Sequence, residues 1–284
     1  MEGWCERRYQ AMNYLEKVFL LLQTIFYFSF LYLDITNGSI RLSIVIKYTI
    51  IILCFCYALL AGSACKGIVF FTPKEQLAAG GFAVADTLLL QVGLFFTMIS
   101  DLFILVLDYY LYGVLVFLIV QQLYSLRLVL LKADNSGKTT NLSIKEQRSN
   151  LRLRYLKRLI LQVGIALTVC LVLMIGKVTL DRLLVISVFY FICILTNTIT
   201  AIRLVVKDPG RKSNLLYGIG MLLFLMCDIN VGLFNLSGFI TMPEEIYGVI
   251  FSISSILMWT FYAPSQILIA LSSHYTKLRK LGGH

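Results

Sequence analysis

Eight apolar runs, each long enough to cross a bilayer, leave this chain very few ways to fold. They lie at about residues 14–33, 42–62, 86–107, 111–131, 159–176, 183–206, 215–234 and 246–271. A helix rising about 1.5 Å per residue needs roughly 20 apolar residues to span the hydrocarbon layer. The runs are continuous rather than alternating, so they satisfy their backbone as helices and not as barrel strands. The chain is 59% hydrophobic and 14% charged, with a mean hydropathy of +0.83. A soluble domain could not hide that much apolar surface. The expected fold is therefore all-α: one polytopic transmembrane domain of eight helices. Ahead of the third run, Pro73 and the pair Gly80–Gly81 predict a break or an interfacial segment over 77–85.

Charge orients the bundle. With the N-terminus inside, nineteen of the 25 Lys and Arg residues fall in cytoplasmic connections. Three fall outside (Arg41, Lys177, Arg182), and three more (Lys47, Arg127, Arg203) lie near helix ends, where they can snorkel. That asymmetry fits the positive-inside rule and predicts cytoplasmic termini. It also explains the net charge of +10 without nucleic acid. The connection 132–158 reads as a cytoplasmic basic loop, whose second half, from Ser143, forms a basic helix on the anionic leaflet. The polar N-terminus has no cleavage site behind its first run, so no signal peptide is expected. Short loops without sorting signals point to a bacterial inner membrane. Oligomeric state leaves no mark on the sequence.

Several chemistries are disfavoured. The seven cysteines lack CxxC spacing, and the two histidines, His274 and His284, are in the C-terminal tail, so neither a metal nor a cofactor is expected. No Walker motif and no GxSxG is present.

What remains is a pair of acids. Asp101 lies in QVGLFFTMISDLFILVL and Asp228 in GIGMLLFLMCDINVGLF, each a lone charge in its run. A charge at membrane depth costs about 2.5–3.5 kcal/mol on insertion scales and marks function by default. Both helices run outward in this topology, which puts both acids in the outer half of the bilayer, about 20 Å from the cytoplasmic edge. The expectation is a carboxylate pair in a lipid-embedded pocket, with Asp86 and Asp108 at the two interfaces of the third run. Asp108 would then either line the pocket mouth or sit at a solvated helix end. Pro264 should free backbone carbonyls in the eighth run, where Tyr262 and Gln266 share a face. Gln121, Gln122 and Tyr124 in the fourth run complete the candidate polar lining, with Gln122 near mid-bilayer.

Two blocks of these residues resemble the YhhN/lysoplasmalogenase family of membrane proteins. One is Ser100-Asp101-Leu102-Phe103 followed by Gly113, Phe117 and Leu123-Tyr124, similar to the family's Gly-Asp helix and its following Gly…Phe…His-x-x-Tyr helix. The other is GMLLFLMCDINVGLF followed by FYAPSQILIALS, similar to its Leu-Phe-x-x-Ser-Asp helix and final Tyr-x-x-x-Gln helix. Ser100 stands for the usual Gly, Cys227 for the usual Ser, and Gln122 where His is common. The resemblance implies about eight helices and hydrolysis of the vinyl ether bond of lysoplasmalogens, giving a fatty aldehyde and a glycerophospho-head group.

That reaction calls for one carboxyl protonated at neutral pH and one ionised, which two carboxyls in a low dielectric supply. The expected catalytic residues are Asp101 and Asp228, with Gln122, Tyr124, Tyr262, Gln266 and Asp108 contacting a lysophospholipid that enters sideways from the bilayer lipids. A proton-coupled lipid transporter and an inactive lipid-binding relative are the alternative readings.

Overall fold

The computed structural model describes the backbone of residues 2–63, 74–135, 144–178, 180–238 and 243–281. Side chains are described over 13–61, 84–133, 149–178, 180–238 and 243–273. Among these residues there is no strand. Eight helices follow one another: α1 (Glu2–Ile35), α2 (Ile40–Ser63), α3 (Lys74–Asp101), α4 (Tyr110–Asn135), α5 (Ile144–Ile175), α6 (Arg182–Lys207), α7 (Lys212–Phe234) and α8 (Glu244–Leu281). Each contains a stretch long and apolar enough to cross a membrane; seven of these stretches begin and end within a few residues of the runs read from sequence, while the fifth begins ten residues before its run, at Ser149.

Three local expectations are corrected. Residues 77–85 form no break, because α3 runs unbroken from Lys74. The connection 132–158 is mostly helix: α4 continues to Asn135 and α5 begins at Ile144, with residues 136–143 outside the described part. Its basic second half is thus the first turns of a spanning helix rather than a separate surface helix. The physical reason is continuity, since the 3.6-residue period carries on from the polar turns into the apolar ones with no Gly or Pro between Ile144 and Gln162. Arg127 does not snorkel; it is buried, as described below.

The helices pack around α4. It touches α3, α5 and α6; α7 lies between α6 and α8; α8 returns against α1, α2 and α3. The most intimate contact is α7 on α8, and small residues allow it. A Cβ added at Gly220 would meet Ile269 Cγ1 at 2.8 Å and the Ser265 carbonyl at 3.0 Å, so no larger residue fits there. Helices α1 and α5 are the least buried, with a sixth or less of their apolar windows hidden, and line the outside of the bundle.

Two irregularities shape the end of the bundle where α3 meets α4. Directly after Asp101 the chain widens into a π-turn, Leu102–Val106, closed by Leu107 N–H donating to the Leu102 carbonyl at 3.1 Å. Such turns recur at functional positions. Gly113 then lets α4 press against this turn: a Cβ there would collide with Ile104 and approach the Ser100 carbonyl at 3.2 Å. On the opposite wall, α8 passes straight through Pro264. A proline removes the hydrogen bond to the carbonyl four residues earlier, here Thr260. Tyr27 of α1 donates its hydroxyl to that carbonyl at 3.3 Å, which satisfies a group otherwise orphaned in lipid.

Candidate active site

Both lone acids are held by tyrosines from other helices. Asp101, 3% exposed at the C-terminal end of α3, accepts the Tyr262 hydroxyl of α8 on Oδ2 at 2.7 Å. Asp228 of α7 accepts the Tyr190 hydroxyl of α6 on Oδ2, also at 2.7 Å. Each pairing fixes one carboxyl oxygen and leaves Oδ1 without a tyrosine donor. The resulting Tyr–Asp units come from four helices and lie toward the end of the bundle where α3 and α7 finish.

Aromatic rings join the two units. Phe117 of α4 has its ring centroid 6.0 Å from Tyr190 and 6.3 Å from Tyr262. Phe224, one turn before Asp228, lies 5.8 Å from Phe117 and 5.5 Å from Tyr262. One phenyl ring therefore separates the two tyrosines, with a second bracing them from α7. The Cys227 thiol is within electrostatic range of both Asp228 and Asp101. Ser100 donates to the Gly113 carbonyl at 2.6 Å, pinning α3 to α4 beside Asp101.

The other candidates from sequence divide. Gln266 is buried one turn beyond Tyr262, with its amide nitrogen 3.3 Å from Ser265 Oγ and its Oε1 unpaired. Gln122 is committed elsewhere. It accepts from Tyr155 at 3.0 Å and donates toward Cys193 Sγ at 3.1 Å and Gln162 Oε1 at 3.4 Å, a seam between α4, α5 and α6 whose members bond neither acid. Its neighbour Gln121 is the residue turned inward: it accepts from Asn197 on Oε1 at 2.9 Å and contacts Tyr190. A His-x-x-Tyr spacing ending on Tyr124 also selects position 121, so spacing alone could have found it. Asp108 is exposed in the turn before α4, with φ 60°.

Tyr124 belongs to a different cluster, toward the opposite end of the bundle. Asp86, expected at an interface, is buried and receives Arg127 in a two-pronged pair, Nε to Oδ1 at 2.7 Å and NH2 to Oδ2 at 3.4 Å. Arg127 is 0% exposed and lies 4.2 Å over the Tyr217 ring, with NH1 3.4 Å from Ser272 Oγ. Tyr217 meets Tyr124 edge-on at 5.9 Å. This pair escapes a reading by run ends because Asp86 opens its run, where an acid reads as interfacial, and Arg127 lies four residues from the end of its own, where a base reads as snorkelling. The available signal was that the two are opposite in sign on consecutive helices at matching depth.

Tyr190 and Phe117 complete the site around the acids. Phe117 belongs to the first motif block, whereas Tyr190 stands among other aromatics in FYFICIL and carries no mark of its own. No group of three or more metal-ligating side chains occurs among the described residues.

No curated protein and no solved structure matches the chain. A family model described as the YhhN family matches residues 68–273, a range that includes Asp101, Tyr190, Asp228 and Tyr262. The resemblance read from the two motif blocks is thereby borne out, and the chain belongs to the YhhN family.

Proposed function

We propose that this protein is a membrane-embedded hydrolase that cleaves the vinyl ether bond of lysoplasmalogen-like lysophospholipids, with Asp101 and Asp228 as its acid and base. The observation that carries this reading is the duplicated Tyr–Asp unit: two carboxyls deep in apolar helices, each fixed by a 2.7 Å tyrosine bond, with one aromatic ring between their tyrosines. A carboxylate is a costly way to glue helices together, and two arranged alike around shared rings suit proton transfer better.

The chemistry balances with these groups alone. The protonated carboxyl delivers its proton to the alkene carbon remote from oxygen, leaving an oxocarbenium ion. Water adds to the carbon bearing oxygen while the second carboxyl, as carboxylate, takes the water proton. The hemiacetal then collapses to a fatty aldehyde and the free glycerol hydroxyl. One proton leaves the pair and one returns, so its total is unchanged after each turnover. Inverting glycosidases divide labour between two carboxyls in the same way, with water between them. Tyr262 and Tyr190 orient the carboxyls, and Gln266 Oε1 is available to a water or the glycerol hydroxyl.

The test is incubation of the purified protein with ether and ester lysolipids, read by mass spectrometry. Aldehyde is expected from vinyl-ether lysolipids only. In deuterium oxide it should carry one deuterium on the carbon next to the carbonyl, the mark of carbon protonation. Passage of intact lysolipid across liposomes with no aldehyde would instead identify a transporter.

A further inference from the structure

A second charged pair stands beside the Asp101 unit, on helices that lie outside the family match. Lys47 of α2 places Nζ 2.8 Å from Asp34 Oδ2 of α1, and Asp34 Oδ1 accepts the Ser43 hydroxyl at 2.6 Å. Lys47 is seven residues into α2, close enough to the helix end for its long stem to reach water. It turns inward instead. Its ammonium lies 5.2 Å from the Trp259 ring and 5.6 Å from Phe30, two cation–π contacts. Trp259 in turn stands edge-on to Tyr262, with centroids 5.1 Å apart, and Tyr262 is the donor to Asp101. Tyr48, next to Lys47, is within electrostatic range of Asp101. One indole and one phenol thus connect Lys47 to the acid. Lys47 and Asp34 keep 13% and 19% of their side chains exposed, so both still reach a surface.

We propose that Lys47 and Asp34 form the headgroup subsite beside the Asp101 unit and take a zwitterionic phospho-headgroup, phosphate on Lys47 and ammonium on Asp34. The position of the chain in this picture rests on the hydrolase reading: with the vinyl ether at Asp101, only the glycerol carbons and one oxygen separate it from the phosphorus. An ion pair near a membrane surface has the charge pattern of such a headgroup in mirror image. Each residue can exchange part of its contact with the other for a contact with the lipid, without leaving an uncompensated charge. A headgroup that is only anionic satisfies Lys47 and repels Asp34. An uncharged one satisfies neither.

The experiment measures affinity with lipids that cannot be cleaved. Saturated 1-O-alkyl lysolipids bearing phosphoethanolamine, phosphate alone or a free hydroxyl are titrated into the full chain in detergent micelles. The wild type should rank them in that order. Lys47→Gln should shrink the preference for phosphoethanolamine over hydroxyl by about tenfold or more, the worth of a charge-assisted hydrogen bond, and Lys47→Arg should restore most of it. Asp34→Asn should erase the preference for phosphoethanolamine over phosphate alone. Where a single variant is too unstable to purify, Asp34→Asn with Lys47→Gln replaces the ion pair by a neutral amide pair and must lose both preferences. Unchanged rankings in Lys47→Gln and in the double variant overturn the subsite. Binding preferences that follow the expectation while no lysolipid yields aldehyde would sink the hydrolase reading and leave the subsite standing.

Discussion

Asparagine in place of Asp101 or Asp228 is expected to lower aldehyde release from a vinyl-ether lysolipid by about a thousandfold, mid-range for the loss of a positioned acid or base. The substitution is a narrow one. Asn has the shape of Asp, and its Oδ1 can still accept the 2.7 Å hydroxyl of Tyr262 or Tyr190, so the four-helix junction around Phe117 stays packed. What is lost is the capacity to give or take a proton. Thermal unfolding of each variant, followed beside its turnover, separates the two effects. The double variant should be hardly slower than either single one, because residues that act as a unit are not additive. Turnover within tenfold of wild type in either single variant, with the protein folded, would remove that carboxyl from the mechanism.

The membrane made the fold easy to read and the site harder. Hydrocarbon tolerates only backbone that bonds to itself, so run length alone located eight apolar spans, seven of them to within a few residues, whereas polar first turns such as those of α3 and α5 carry no hydropathy signal. The same pressure exposed Asp101 and Asp228, since a lone acid among aliphatics has no routine reason to be there. Their partners carry no such mark. Tyr190 reads like any tyrosine in an aromatic-rich run, and only the packing of α6 against α7 selects it. The glutamines show a second limit. Gln121 and Gln122 are adjacent, but about 100° of helical rotation turns one toward Tyr190 and the other to the seam with Tyr155. Hydropathy cannot separate them, whereas motif spacing could. For Arg127 the error was one of depth. Snorkelling depends on which way the stem points, and here Asp86 and the face of Tyr217 hold it inside.

The second large effect concerns that buried pair. Arg127→Met should destabilise the protein by about 3–5 kcal/mol, because Asp86 would keep its charge or its desolvation cost with no guanidinium to meet it. Adding Asp86→Leu should recover most of the loss, since a buried ion pair replaced by well-packed apolar groups is often neutral. Unfolding in mixed micelles with a titrated denaturing detergent would measure both. A double variant no more stable than Arg127→Met would show that the contacts to Ser272 and Tyr217, rather than the Asp86 charge, make Arg127 necessary.

The same pair constrains how the protein is made. Asp86 and Arg127 are 41 residues apart on consecutive spans, so α3 reaches the insertion machinery carrying an acid whose counter-charge is still shielded inside the ribosome. Either charge alone costs about 2.5–3.5 kcal/mol at the middle of a lone helix, whereas a paired hairpin presents neither to lipid. Helices α3 and α4 should accordingly enter the bilayer together, the first waiting beside the channel for the second. Nascent chains arrested when α3 has left the ribosome but residue 127 has not, and probed by crosslinking, would reveal it: α3 should stay near the translocon, and free diffusion of α3 into lipid at that stage would refute the joint entry.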